Sequence, residues 1–423
     1  MDDFAYREGI LHAEGVSLVD LARAHGTPLY VYSLAGLRRR LRALRDAFGE
    51  PPPRIAYSVK ANPHLAVVRA FAREGAGADV VSGGELLRAR AAGVPAADIV
   101  FAGVGKREDE LELGLDEGIG CFNVEVAGEL ELLDRLARAR GVRAPVALRV
   151  NPDVAGGGHE YIQTGKRVNK FGIPLGDAPP LFRRAAALPG IELLGLACHV
   201  GSQILDLGPF ERALARIADL ARGLRAEGLP VAHVDVGGGL GVRYTDEEPP
   251  PFSAYAAAVR RHLDPLKATV VLEPGRCLTA GAGLLLTRVL YTKRSGGKRF
   301  VIVDAAMNDF ARPALYGARH AVRSVREGAA RARADVVGPV CETGDFLARD
   351  AEVPDAAPGD LLALLGAGAY GRSMASNYNS RPRAAEVLVH GGQAYLVSAR
   401  EDPRTLFAHE RVPEFLGAPE TRP

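Results

Sequence analysis

The stretch Ile55-Ala56-Tyr57-Ser58-Val59-Lys60-Ala61-Asn62 runs five strand-forming residues into a lysine and an asparagine. A short apolar run that ends in polar groups reads as a buried strand whose C-terminal end opens on a site. Similar runs recur at 78–81, 99–102, 121–124, 146–150, 194–199, 231–236 and 270–272. Between them lie stretches with apolar residues at helical spacing: Leu65–Ala72, Glu85–Ala92, Ala127–Arg140 and Phe210–Glu227. Strand and helix alternating, with the strands apolar throughout, predict a parallel sheet covered on both faces. An open doubly wound sheet has the same local signature. The count of eight units selects a (β/α)8 TIM-like barrel.

The polar groups support that choice. Lys60 and Asn62, Ser82 and Glu85, Asn151, His199 and Ser202, Gly237–Gly239, and Glu273 with Arg276 all stand just after strands. A barrel brings its strand C-termini to one face, where catalytic groups collect.

Beyond residue 285 the texture becomes β-rich. Leu284–Tyr291, Phe300–Val303, Asp335–Val337, Leu361–Leu365, Glu386–His390 and Gln393–Ser398 read as strands, with Gly391-Gly392 as a hairpin turn. Gly9–Val16 is also strand-like and is expected to join them. The expected organisation is therefore an N-terminal segment, 1–29, that joins the β domain, a barrel over 30–285, and a C-terminal β domain, sandwich- or barrel-like, over 286–423.

Composition narrows the partners. The 423 residues carry 51 Asp+Glu against 53 Lys+Arg, a net charge of +2, which gives no global attraction for nucleic acid or an anionic membrane. With 47% hydrophobic and 25% charged residues the chain is globular in composition. The start, Met1-Asp2-Asp3-Phe4, does not read as a signal peptide, and the apolar run at 280–286 is too short to span a bilayer. Four cysteines without paired spacing (Cys121, Cys198, Cys277, Cys341) argue against zinc and disulfides, and for a cytoplasmic protein. Only seven of the 53 bases are lysines.

Lys60, at the barrel mouth and partly desolvated, is expected to have a lowered pKa and to form a Schiff base. A surface lysine ending a strand has the same signature. Gly237-Gly238-Gly239 would let backbone N–H groups converge on a phosphate, or simply make a tight turn. Glu273 could bind a cationic ring nitrogen and Arg276 could fork a carboxylate, or the two could be an exposed ion pair. His199 could stack on an aromatic cofactor, or be a core histidine; it has no partner at metal-ligand spacing, so no metal is expected. Cys341-Glu342-Thr343-Gly344-Asp345 combines a thiol, a carboxylate and a turn glycine. Arg312, Tyr316 and Tyr370 sit in similar loops, each with a bland reading of its own. A lysine, a glycine cradle, a ring-nitrogen carboxylate and a stacking His together describe a pyridoxal phosphate site.

These motifs resemble the diaminopimelate decarboxylases, a family of barrel-type, alanine racemase-like pyridoxal phosphate enzymes. The matching pieces are YSVKAN (57–62), GADVVSGGEL (77–86), NKFGI (169–173), HVGSQ (199–203), GGGLG (237–241), EPGR (273–276), RPALYGA (312–318), GPVCETGD (338–345) and GAYGRSMASNYNSRPR (368–383). Ser58 and Thr343 stand where the family often has Ala and Ser. The resemblance implies decarboxylation of meso-2,6-diaminopimelate to L-lysine and CO2, the last step of lysine biosynthesis, with pyridoxal 5'-phosphate as cofactor. It implies that Lys60 carries the cofactor, His199 stacks on its ring and Glu273 pairs with its nitrogen. Ser202, Gly237, Gly238, Gly239, Gly275, Arg276 and Tyr370 would hold the phosphate. Arg276, Arg312, Tyr316, Glu342 and Tyr370 would bind substrate, and Cys341 would be the proton donor. It also implies a homodimer in which the Cys341-Glu342 loop completes the neighbouring subunit's site. The alternative is a decarboxylase of the same fold acting on ornithine, arginine, carboxynorspermidine or a carrier-bound amino acid.

Overall fold

In the computed structural model the described residues are 3–154 and 170–417; Lys166 and Asn169, the first residue of NKFGI, lie outside them. Eight parallel strands close a barrel: β1 (Arg54–Ser58), β2 (Gly77–Val80), β3 (Ile99–Phe101), β4 (Cys121–Val124), β5 (Ala144–Asn151), β6 (Ile191–Ala197), β7 (His233–Asp235) and β8 (Thr269–Leu272). Each pairs with the next, and β8 returns to β1 through Val271 opposite Arg54 and Leu272 opposite Ile55.

The helices cover the barrel with the faces that their spacing predicts. Ala127–Ala139 buries Leu130, Leu133, Leu136 and Ala137. Leu207–Ala226 buries Phe210, Ala213, Leu214, Ile217, Ala218, Ala221 and Leu224, and Asp206 caps its start by accepting from the Gly208 N–H. Each leucine so buried contributes about 1.5–3 kcal/mol of apolar transfer. No described helix is long and apolar enough to cross a membrane.

The second half is a sheet built from both ends of the chain. Its spine is Gly283–Ser295, which runs antiparallel to Lys298–Val303, to Leu361–Leu365 and to Leu29–Ser33. Leu29–Ser33, buried at all five positions, is in turn parallel to Ala385–His390, whose hairpin to Gln393–Ser398 turns at Gly391-Gly392. The chain therefore first passes from this sheet to the barrel half at Leu34. Phe346–Pro354 and Val322–Ser324 are further strands without a clear apolar signature in sequence. The N-terminal strand-like segment is a small sheet of its own (Phe4–Arg7, Ile10–Ala13, Val16–Ser17). It docks on the second half through the Leu11 N–H to Val325 O bond and a shared apolar cluster with Leu29, Leu284 and Val387.

The loop at 366–371 brings the second half onto the barrel mouth. The Tyr370 N–H donates to Ala61 O at 2.8 Å and Asn62 Nδ2 donates to Gly368 O at 3.1 Å. A Cβ on Gly368 would stand 2.0 Å from Thr279 O, so only glycine permits this approach. Tyr370 itself has φ of 53°, a left-handed conformation that a bulky residue holds only when its surroundings impose it.

Candidate active site

Lys60 sits two residues past the end of β1, in a short turn, and points at Asp79 of β2. Its Nζ lies 2.7 Å from Asp79 Oδ2, which also accepts from Ser58 Oγ at 2.7 Å. Asp79 is fully buried and its Oδ1 has no hydrogen-bond partner. Burial disfavours the ammonium, yet the neighbouring negative groups, Asp79 foremost, outweigh it and hold the Lys60 pKa above its ordinary value. This corrects the expectation of a lowered pKa. Desolvation was the term visible in sequence; the Asp79 contact was not. The sign gives a test. Only the free amine reacts with acylating or arylating reagents, so Asp79→Asn should shift the pH profile of Lys60 labelling down by about a unit or more.

Lys60, His199 and Glu273 line one cavity of about 370 Å³, with Arg149, Phe171 and Gly103. That volume lies within the small-molecule range of roughly 300–1,000 Å³. A second cavity of similar size opens at the opposite end of the barrel, among Ile55, Gly77, Ile99 and His233. It contains none of the expected site residues, and that end of such barrels usually serves stability.

His199 is a neutral ring. Its Nδ1 accepts from the Gly238 N–H at 3.2 Å, and burial, followed by the Arg149 and Lys60 charges, lowers its pKa to about 3. An uncharged planar ring beside the lysine suits stacking on an aromatic group. Gly237 donates its N–H to Asp235 Oδ1 at 2.8 Å. Two of the three glycine N–H groups are thus engaged within the chain, and the expectation of three donors converging on an anion narrows to Gly239. The run is glycine for a different reason, close approach. A Cβ on Gly238 would lie 2.2 Å from Glu273 O, and one on Gly239 2.1 Å from Gly201 O. Gly238→Ala must push β8 away from the loop. We expect a loss of about 1–3 kcal/mol in denaturant unfolding, with weakened cofactor uptake in the same sample.

Glu273 follows β8 and is buried. Asn123 of β4 donates Nδ2 to Glu273 Oε1 at 3.2 Å and to Asp235 Oδ2 at 3.0 Å. Burial first, and the Asp235 charge second, raise the Glu273 pKa well above the carboxylate range. A cation or a proton is required here, which a protonated pyridine nitrogen supplies.

Beside this cavity, Arg276 and Arg312 are both buried, and among the described residues neither has a carboxylate partner. Arg276 donates to Tyr244 Oη at 2.6 Å and to Ser202 Oγ at 2.8 Å, while its buried Nε has no acceptor. Its guanidinium lies 4.7 Å from the Tyr370 ring centre. Arg312 faces Tyr244 at 5.0 Å and Tyr316 at 5.7 Å, and donates to His320 at 3.3 Å. Two buried guanidiniums that aromatic rings hold in place, without a carboxylate, form a receptor for an anion. Gly275 must stay glycine, because its Cβ would stand 2.8 Å from that of Ala61. The donor set, the partnerless Nε and the raised Glu273 fit pyridoxal phosphate together with a carboxylate substrate.

Cys341 and Glu342 do not line the Lys60 cavity. Cys341 is exposed, with its N–H donating to Asn379 Oδ1 at 3.0 Å, and Glu342 bonds the Tyr378 hydroxyl. Sequence reasoning assigned no role to Asp79, Asn123, Asp235, Tyr244 or His320. Asp79 and Asp235 were legible as acids inside apolar strands, which are rare unless paired. Tyr244 and His320 carry no such signal.

Residues 34–280 match the model of the pyridoxal-dependent decarboxylases, pyridoxal binding domain. The diaminopimelate decarboxylase of Pseudomonas aeruginosa is 51% identical over 413 residues, covering 97% of this chain and 99% of that protein. Among solved structures, the diaminopimelate decarboxylase of Helicobacter pylori complexed with L-lysine matches at TM-score 0.90 and 40% identity, over 92% of this chain and 98% of the other. The M. jannaschii diaminopimelate decarboxylase in co-complex with L-lysine matches at TM-score 0.93 and 36% identity, over 98% of each.

Proposed function

This chain belongs to the diaminopimelate decarboxylases, within the pyridoxal-dependent decarboxylases, and from that premise we propose that it converts meso-2,6-diaminopimelate to L-lysine and CO2. The observation that carries the reading is the adjacency of two sites: a lysine cavity with a buried ring-nitrogen acid, and two buried arginines without carboxylate partners. A substrate with an amino acid group at each end needs both.

Pyridoxal 5'-phosphate, when bound, supplies the sink for the electron pair that the departing CO2 leaves on Cα. The chain supplies everything that orients. Lys60 holds the cofactor, His199 covers one face of its ring, and Glu273 keeps its nitrogen protonated. Ser202, Gly239, the Gly275-Arg276 backbone and Tyr370 hold the phosphate, while Gly237 and Gly238 shape the loop. Arg276, Arg312 and Tyr316 would bind the distal carboxylate and so set which bond at Cα is presented for cleavage, so that orientation selects CO2 loss over racemisation. Cys341 and Glu342 of a partner subunit close the site in a homodimer, Glu342 on the distal amine and Cys341 returning a proton to Cα. The working division of the chain is 30–285 as the cofactor-binding barrel, which also supplies Arg276, and 286–423, with 1–29, as the β domain that supplies Arg312, Tyr316 and Tyr370.

The test is CO2 release from meso-diaminopimelate with and without added pyridoxal phosphate, beside ornithine and arginine. Cofactor-dependent release from diaminopimelate alone is expected. Turnover of ornithine or arginine with none of diaminopimelate would sink the reading.

A further inference from the structure

The pair Asp235 and Glu273 carries more than the placement of one ring nitrogen. Both carboxylates are buried, and one Asn123 amide donates to both. That amide cannot turn round freely, since its Oδ1 accepts from Cys121 Sγ at 3.7 Å. Neither carboxylate has a salt-bridge partner among the described residues. The groups facing the pair are Asp79 from β2, Lys60 after β1, Cys121 from β4, Cys198 after β6 and Tyr255 from an outer helix. Lys60 is already paired with Asp79. The surroundings therefore do not neutralise two anions, and two carboxyl groups in hydrogen-bond contact, as Asp235 and Glu273 are, do not both ionise.

The donors decide where a proton sits. Asp235 accepts from the Gly237 N–H on one oxygen and from Asn123 on the other. Glu273 accepts from Asn123 on one oxygen only, and no other amide of the described residues donates to its side chain. The better-solvated anion is Asp235, and Glu273 is the acid.

We propose that Asp235 and Glu273 hold one proton between them in the cofactor-free chain, and that the pyridine nitrogen of the cofactor takes this proton on binding. The inference rests on the assignment of Glu273 to the ring nitrogen. The step balances: an O–H bond of Glu273 breaks, an N–H bond forms on the pyridine lone pair, and the net charge of pair plus ring stays at one negative. Asp235 acts through Glu273 and is a positioning residue. It keeps the neighbouring acid loaded until the ring arrives, so cofactor capture draws no proton from solvent at this atom.

Infrared difference spectroscopy on the full-length chain reads this directly. The cofactor-free wild type should show the carbonyl band of a buried neutral carboxylic acid, absent in Glu273→Gln, and saturation with pyridoxal phosphate should remove it. In Asp235→Asn, with the neighbouring charge gone, the pH at which the band disappears should fall by about one unit or more. A cofactor-free wild type without the band overturns the proposal. So does a band that persists while visible absorbance shows cofactor bound on Lys60, which would leave the cofactor assignment standing. A chain that takes up no pyridoxal phosphate overturns that assignment instead, and this inference with it. The wild-type spectra decide the matter even where Asp235→Asn does not fold.

Discussion

Lys60→Ala should abolish CO2 release, lowering kcat by about 10⁴-fold or more, because it removes the group proposed to hold the cofactor. No other described lysine takes its place. Lys106 is buried against Glu129 at 2.6 Å, and Lys298 is paired with Asp335 at 2.8 Å in the second sheet. The variant also strips Asp79 of its only cationic partner among the described residues. That cost is about 1–3 kcal/mol, less than for a fully buried pair because the lysine side chain is still 39% exposed. Lys60→Ala combined with Asp79→Asn should recover the unfolding midpoint and none of the turnover. Recovery of turnover in the double variant removes Lys60 from the chemistry. Borohydride reduction of the loaded wild type should fix the cofactor on Lys60, and label on any other lysine refutes the assignment.

Glu342→Ala and Cys341→Ala should each cost at least about 10²-fold in diaminopimelate turnover while leaving cofactor absorbance unchanged. Both residues are exposed in the single chain and lie outside the Lys60 cavity, so under the proposed function they act on the site of a second subunit. Mixing separates this from a local role. Lys60→Ala and Cys341→Ala subunits, each inactive alone, form mixed dimers in which one of the two sites has both residues. Random exchange then restores about one quarter of wild-type activity. Mixtures that stay inactive after exchange, shown by mass or tag, place Cys341 elsewhere.

The barrel was legible because each of its strands is a closed apolar run between amphipathic helices, a pattern that depends only on neighbours in sequence. All eight strands form where the periodicity puts them, within a few residues at each end. The second sheet was less so. Phe346–Pro354 alternates Leu347-Ala348 with Arg349-Asp350 on a half-exposed edge, and Leu29–Ser33 falls almost wholly inside the expected barrel range of 30–285 although its partners lie in the second sheet. The site follows the same division. Lys60, His199 and Glu273 stand at strand ends, which a one-dimensional reading can find. The Lys60–Asp79 contact, the Asn123 bridge and the Tyr244 platform join distant strands and loops, and pairing across a barrel leaves no trace in local spacing. The sign of the Lys60 pKa was missed for that reason.

The strand Leu29–Ser33 has a consequence for biosynthesis. It precedes every barrel strand in the chain, yet its partners are Gly283–Leu286 and Ala385–Val389. Every barrel strand is translated before the first of these partners is complete, and the second follows only about a hundred residues later. Until Gly283–Leu286 is made, a strand that ends fully buried waits with both edges bare, which is the condition that invites pairing with other chains. A transcript truncated before codon 385 would yield a chain whose barrel strands are all present but whose N-terminal strand still has one open edge. Such fragments should be found in the insoluble fraction, and the full-length chain should depend on holding that strand shielded until its last partner emerges.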